Sequence, residues 1–233
     1  MTAFFEEVLE ELSHPAFVER VCAKYHYEES RIPELRAVAR ELSAVTREGA
    51  FWERRESSAQ DFPILCQADA PGTAYECVVM SLGAGPDRLQ DEYSAGGLLS
   101  ESYMIEALAS EMLLDGYRAY NRYIEEHTDK HVARYHFPGS EEMFPIGMLP
   151  GLLSEITPQI TCNEAFCMSP KKSVAFLAEL TRDESVQCEG ICVGCGNLRC
   201  SNRMKDEDSV RRRIARRADM LLPYGYSRIF GLI

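Results

Sequence analysis

The stretch AYECVVMSLGAGP, residues 74–86, is the strongest predictor of the fold of this chain. Its first part is mostly apolar and rich in residues that favour extended backbone, which predicts a strand over 74–82. Gly83 and the pair Gly85-Pro86 then predict a sharp turn that ends the strand. Segments with helical periodicity lie on both sides of it, so the strand indicates a domain that combines a sheet with helices.

Apolar side chains recur at helical spacing in several other segments. The predicted helices are three within residues 2–48, one from Ser100 to about Glu126, one from Pro150 to Ile156 and one over 206–220. The other predicted strands are 51–57, 131–137, and the pair 161–168 and 173–180 around the turn Ser169-Pro170-Lys171. We therefore predict a helical N-terminal segment over 1–48 and a mixed α and β core over 49–233.

The composition is that of a globular protein, with 45% hydrophobic and 27% charged residues. A net charge of −12 disfavours binding to nucleic acid, because phosphate binding needs clustered cations. The N-terminal run MTAFFEEVLEEL lacks the features of a secretory signal, and no stretch approaches the length of a membrane span. The odd count of nine cysteines favours a reducing compartment. We expect a cytoplasmic protein that contacts neither nucleic acid nor membrane.

A cysteine-rich loop, CEGICVGCGNLRC at 188–200, is the most chemically specific motif in the chain. Its ligand candidates are Cys188, Cys192, Cys195 and Cys200. Thiolates so close in sequence can converge on one zinc ion or one iron–sulfur cluster, and the interleaved glycines permit the sharp turns that this needs. The alternative is a loop of reduced thiols packed as small apolar residues. Chance clustering is improbable, so we favour a metal site, and the spacing leaves zinc and iron–sulfur both open.

Three further segments resemble the activation domain of vitamin B12-dependent methionine synthase and its free-standing relatives. They are VVMSLGAGPDRLQDEYSAGGLLSESYMIEALAS at 78–110, ARYHFPGS at 133–140 and TCNEAFCMSPKKSV at 161–174. Free-standing members of that family also end in a C-x2-C-x4-C motif followed by Arg, as do Cys192, Cys195, Cys200 and Arg203 here. The resemblance implies an α+β fold: a mixed, largely antiparallel twisted sheet flanked by helices.

The resemblance also implies a ligand, S-adenosylmethionine. In the family an Arg-x-x-x-Gly-Tyr motif holds the methionine end of this molecule, and Arg134 and Gly139 are its counterparts here, with one extra residue between them and Ser140 in place of the tyrosine. A guanidinium pairs well with a carboxylate, and a glycine lets the backbone approach a ligand closely. The residues that we expect at the cofactor are Arg134, Tyr135, Pro138, Gly139, Met168, Pro170 and Ser173.

The function that the resemblance implies is assistance in the reductive remethylation of a corrinoid protein or of other methionine synthase modules, so that cobalamin enters only through that partner. Remethylation from S-adenosylmethionine requires cobalt(I), and iron–sulfur clusters reach the low potentials that its formation needs. We therefore hypothesise that the cysteine loop carries a cluster that supplies this electron. The alternative is an iron–sulfur or zinc protein that serves electron transfer or protein interaction without binding S-adenosylmethionine.

Overall fold

The computed structural model describes residues 3–57, 73–140, 142, 144–186, 188 and 191 of the 233-residue chain. By its internal contacts the chain divides into Met1–Gly196 and Asn197–Ile233, and all described residues belong to the first unit. The helix predicted over 206–220 lies outside the described residues, as do Cys192, Cys195 and Cys200.

The described part of the chain begins with three helices and then combines strands with helices. The helices are α1 (Ala3–Ser13), α2 (Pro15–Lys24), α3 (Ile32–Gly49), α4 (Gly85–Ala95), α5 (Leu99–His127) and α6 (Leu149–Ile156). The strands are β1 (Phe51–Ser57), β2 (Ala74–Ser81), β3 (His131–His136), β4 (Thr161–Cys162), β5 (Met168–Ser169) and β6 (Ser173–Thr181).

The central feature of the fold is a four-stranded antiparallel sheet in the order β1-β2-β6-β3. β2, which forms the first part of the stretch 74–86, lies inside this sheet and is buried along nearly its whole length. Its apolar side chains alternate between the two faces: Val78 and Met80 join one buried cluster, and Cys77 and Val79 join the other. This architecture confirms the predicted α+β class with an antiparallel sheet, flanking helices and a helical N-terminal segment.

One face of the sheet, here called the helix side, is covered by the long helix α5, around which α1 to α4 pack. Met104, Leu108 and Met112 of α5 are fully buried there, and Leu113 is partly buried against the same cluster. The buried side chains of α1 to α3 belong to the same hydrophobic cluster as those of β2 and α5. The predicted boundary between residues 48 and 49 therefore falls within one continuous core.

The opposite face, here called the α6 side, is covered by a smaller layer. The buried residues of α6 pack there with Phe144 and with side chains of β2 and β6. The short hairpin of β4 and β5 adds Met168 to the edge of this cluster. Within the described residues, no helix combines the length and the apolar character that crossing a bilayer requires.

The predicted pairing of 161–168 with 173–180 is wrong. Only Thr161–Cys162 and Met168–Ser169 pair, as a separate two-stranded hairpin, while β6 pairs with β2 and β3 in the main sheet. The Asn163 side chain causes the early turn, because its Oδ1 accepts hydrogen bonds from the backbone N–H groups of Ala165 and Cys167, each at 3.0 Å. Cys167, at the end of this turn, is exposed.

Candidate functional site

Two of the segments that resemble the family, 78–110 and 161–174, meet at the end of β2 through residues 81–87 and 168–173. The Leu82 N–H donates to the carbonyl oxygen of Lys172 at 2.9 Å. The Lys171 N–H donates to Asp87 Oδ2 at 2.8 Å, so the first turn of α4 is tied to the turn before β6. These residues are more than eighty positions apart in sequence, yet they form one hydrogen-bonded unit.

A chain of hydrogen bonds through two buried hydroxyls runs across this junction. Ser173 Oγ donates to the carbonyl oxygen of Pro170 at 2.8 Å, and it lies 2.8 Å from Ser81 Oγ. Because the Ser173 proton is already used, Ser81 must be the donor in the bond between the two hydroxyls. Ser81 Oγ in turn accepts from the Gly83 N–H at 3.0 Å. The Ser173 hydroxyl is thus engaged inside the protein, and its role here is to position the turn.

Gly83 and Gly85 are required by packing against the end of α3. Gly83 has a φ of +75°, and a Cβ at this position would lie 2.4 Å from the carbonyl oxygen of Gly49. A Cβ on Gly85 would meet the carbonyl oxygen of Val45 at the same distance, 2.4 Å. The glycines of this turn therefore let helix and sheet approach each other closely.

Two lysines beside the turn make different contacts. Lys172 is buried, and its ammonium group binds Glu106 and lies 3.2 Å from Ser110 Oγ, both on α5. Lys171 is exposed, with its Nζ 3.8 Å from Asp91 Oδ1 on α4. The segment 168–173 is therefore linked by ion pairs to both helices that follow β2.

Arg134 and Tyr135 project from opposite faces of the sheet. A register shift between Val132 and Arg134 places Val132 and Tyr135 together in the helix-side cluster, although they are three residues apart. Arg134 is exposed and lies opposite Glu179 of β6. The neighbours of Glu179 in sequence, Ala178 and Leu180, face the helix side, so Glu179 and Arg134 face the α6 side. A ligand on the α6 side that reaches the Arg134 guanidinium therefore does not reach the Tyr135 ring.

Tyr135 is part of the core beneath α5. Its hydroxyl donates to Asn121 Oδ1 at 2.5 Å, and its ring packs edge-on against Tyr117 with the ring centroids 5.4 Å apart. Burial raises the pKa of Tyr135 well above its ordinary value, and the nearby thiol of Cys188 adds to the shift. The structure thus places this predicted ligand residue next to the start of the cysteine loop.

A polar group on the α6 side accompanies Arg134. His136 is 3% exposed, and its Nε2 lies 3.3 Å from Glu179 Oε2. The Glu179 side chain is 18% exposed, so one carboxylate reaches both the buried imidazole and the surface near Arg134. Sequence reasoning missed Glu179, although a single acidic residue within the apolar run SVAFLAEL was a visible signal.

The turn after β3 positions Pro138 and Gly139 on the same side of the sheet. The Gly139 N–H donates to the carbonyl oxygen of Phe144 at 2.7 Å, and Gly139 has a φ of +85°. Phe144 is fully buried in the α6-side cluster, against which Met168 also packs. Half-buried Pro138 begins this turn, and half-buried Pro170 begins the turn before β6.

The predicted cofactor residues therefore fall into two groups that border the α6-side cluster, with Tyr135 apart from both. One group is Arg134 and Gly139, with Pro138 between them in sequence. The other group is Met168, Pro170 and Ser173, joined to the end of β2 by the hydroxyl chain.

The described part of the cysteine loop begins on the helix side of the sheet. Cys188 is half-buried and packs against the helix-side cluster, close to Tyr135. The other three predicted ligands lie outside the described residues. Among the residues that the structure does describe, no group of three or more His, Cys, Asp or Glu side chains is arranged to hold a metal ion.

Comparison of the chain with protein-family models gave no match, and comparison with curated proteins gave none either.

Proposed function

We propose that this chain binds S-adenosylmethionine on the α6 side of its sheet and assists the reductive remethylation of a corrinoid protein in the cytoplasm. The observation that carries the proposal is the junction of 81–87 with 168–173. Both segments were selected on sequence resemblance alone, and hydrogen bonds from Leu82, Lys171 and Ser81 join them into one unit. Two segments that serve one ligand are expected to adjoin each other in this way.

The side chains beside this unit suit the methionine end of the ligand. An amino acid offers a carboxylate and an ammonium group on one carbon, so its site needs a cation next to an anion. Arg134 is an exposed residue, and a guanidinium can pair with a carboxylate through two parallel hydrogen bonds. Glu179 lies opposite it on the neighbouring strand and supplies the anionic group for the ammonium. The apolar surface around Met168 suits the methylene and sulfonium region of the ligand.

The cysteine loop supports the redox half of the proposal. Transfer of a methyl group from the sulfonium to cobalt requires cobalt(I), so one electron must first reduce cobalt(II) in the partner. The donor set of Cys188, Cys192, Cys195 and Cys200 fits an iron–sulfur cluster, which when bound supplies a low-potential electron. Cys188 rests against the protein core beside Tyr135, and such burial and neighbouring hydrogen bonds are the means by which a protein tunes a cluster potential.

A second function is favoured by one specific observation. The Ser173 hydroxyl is engaged within the protein and the Tyr135 hydroxyl faces the helix side, so neither of these expected contacts offers its hydroxyl to a ligand on the α6 side. This arrangement favours a cysteine-ligated iron–sulfur or zinc protein that serves electron transfer or protein interaction without S-adenosylmethionine.

Calorimetry distinguishes the two functions. The proposal predicts saturable heat on titration of S-adenosylmethionine into the full chain, with weaker binding for Arg134→Lys, which keeps the charge but lacks the planar fork of the guanidinium. Arg182→Lys is the matched control, because Arg182 is an exposed arginine paired with Asp129. If saturating S-adenosylmethionine gives neither heat nor a thermal shift, the proposed binding is contradicted and the second function is favoured.

Metal analysis tests the redox half independently. Anaerobic purification followed by iron and sulfide determination and by EPR should show a cluster that is lost in Cys195→Ser. A colourless protein that carries one zinc ion per chain would contradict the electron-supply role.

A further inference from the structure

The connection between α4 and α5 carries an exposed apolar surface. Leu98, Leu99 and Tyr103 are 47%, 60% and 70% exposed, and they are three of the five most exposed large apolar side chains in the described part of the chain. We call these three residues the apolar tip. Large apolar side chains that cluster at the surface are typical of a site of interaction.

The backbone holds the apolar tip in one conformation. After α4 ends, the Leu98 N–H donates to the carbonyl oxygen of Tyr93 at 2.9 Å, and Gly97 adopts a φ of +78°. On the other side, Arg31 donates from Nη2 to Ser100 Oγ at 2.8 Å, which ties the start of α5 to the residues before α3. A surface that is already ordered loses little conformational entropy when it binds a partner.

Leu99 and Tyr103 of the apolar tip share one face of α5 with the residues that contact the segment 168–173. Positions 99, 103, 106 and 110 fall on one face of α5, because residues three or four apart are neighbours on a helix. Glu106 and Ser110 on this face are the two partners of the Lys172 ammonium group. A protein that covers Leu99 and Tyr103 would therefore also approach the segment 168–173.

The stretch of sequence that contains the apolar tip carries only acidic charged residues. Residues 89–117 contain no lysine, arginine or histidine. Within the stretch, the acidic side chains nearest the tip in sequence belong to Asp91, Glu92, Glu101 and Glu106. In the described part of the chain, three basic side chains from elsewhere reach this region, and each is ion-paired: Arg31 with Glu34, Lys171 with Asp91 and Lys172 with Glu106. With Asp91 and Glu106 paired in this way, the negative charge near the tip is that of Glu92 and Glu101.

We infer that the apolar tip docks a different protein, whose surface presents an apolar patch framed by lysine and arginine. We choose this kind of partner by charge complementarity, because an acidic surface around the tip attracts a basic protein surface and repels an acidic one. A second copy of this chain, with its net charge of −12, would bring two acidic rims together. Anionic lipid headgroups would be repelled for the same reason. The identification of this partner as the corrinoid protein rests on the proposed function.

The test measures the affinity of the full chain for the corrinoid protein of the same organism, loaded with cob(II)alamin. Leu99→Gln and Tyr103→Gln keep helix-forming residues at exposed positions, so both variants should fold. Each should raise the Kd about tenfold or more, as expected for large side chains at the centre of an interface. Val186→Gln is the matched control, since Val186 is an exposed apolar residue outside the tip. Binding should also weaken as salt rises.

Calorimetry with S-adenosylmethionine on the same variants separates the possible failures. Unchanged affinity for S-adenosylmethionine, together with weakened binding to the corrinoid protein, supports the inference. If the variants bind the corrinoid protein as tightly as the parent chain, the tip is not the docking site and the proposed function stands. If the parent chain does not bind the corrinoid protein, or if the tip instead mediates self-association or flotation with anionic vesicles, the inference is overturned.

Discussion

The hydrogen-bond chain through Ser81 and Ser173 predicts a measurable coupling between two substitutions. Ser173→Ala removes two hydrogen bonds, the one to the Pro170 carbonyl and the one from Ser81. Ser81→Ala also removes two, the one from Gly83 and the shared bond. With about 1 kcal/mol for each internal hydrogen bond, either single variant should lower the free energy of unfolding by about 2 kcal/mol.

The double variant removes the shared bond only once, so it should cost about 3 kcal/mol, and the coupling should be about 1 kcal/mol. Urea denaturation followed by circular dichroism gives the four free energies needed. Ser154→Ala is the control, because Ser154 is an exposed serine of α6 that bonds only its own helix at Gly151. Its effect should add to that of Ser173→Ala within about 0.5 kcal/mol. Simple additivity of Ser81→Ala and Ser173→Ala would refute the hydroxyl chain.

Three further predictions concern the same region and the core. Asp87→Ala removes the acceptor of the Lys171 N–H and should cost about 1–2 kcal/mol in urea denaturation, and Asp87→Asn, which keeps an oxygen, should cost less. Tyr135→Phe should cost about 1 kcal/mol and leave the calorimetric affinity for S-adenosylmethionine unchanged, because its hydroxyl faces Asn121 on the helix side. Burial raises the pKa of Tyr120 and of Tyr135. The free energy of unfolding should therefore be constant below about pH 10 with respect to these two groups, and above it should fall by about 1.4 kcal/mol per pH unit for each tyrosine. Urea denaturation at about pH 8 and about pH 11 measures this loss, and Tyr120→Phe should reduce it.

The helices and strands that could be predicted from sequence are those in which the spacing of apolar residues is uninterrupted. The strand 74–82 and the long helix from Ser100 carry continuous apolar periodicity, and both appear within a residue or so of their predicted bounds. The segment 161–168 has the composition of a strand, yet the Asn163 side chain turns the backbone after two residues. Two local hydrogen bonds accepted by one side chain were enough to override the strand propensity of the residues around it.

Less of the candidate site could be predicted, since its geometry depends on contacts between distant residues. We expected both Arg134 and Tyr135 at the cofactor, yet alternation along β3 puts them on opposite faces, and the irregularity after Val132 decides which of them faces the helix side. Glu179 lies 43 positions from His136 in sequence, and only the pairing of β3 with β6 brings them together. Gly83 matches the family motif, yet its packing against Gly49 follows from the position of α3, which the motif does not contain.

The most direct test of the account is the binding of S-adenosylmethionine to the full chain by calorimetry. The account predicts saturable binding, a loss of affinity of about tenfold or more in Arg134→Lys, and parent-like affinity in Arg182→Lys. Absence of binding in the parent chain, or equal affinities in all three proteins, would contradict the assignment of the α6 side as the site of this ligand.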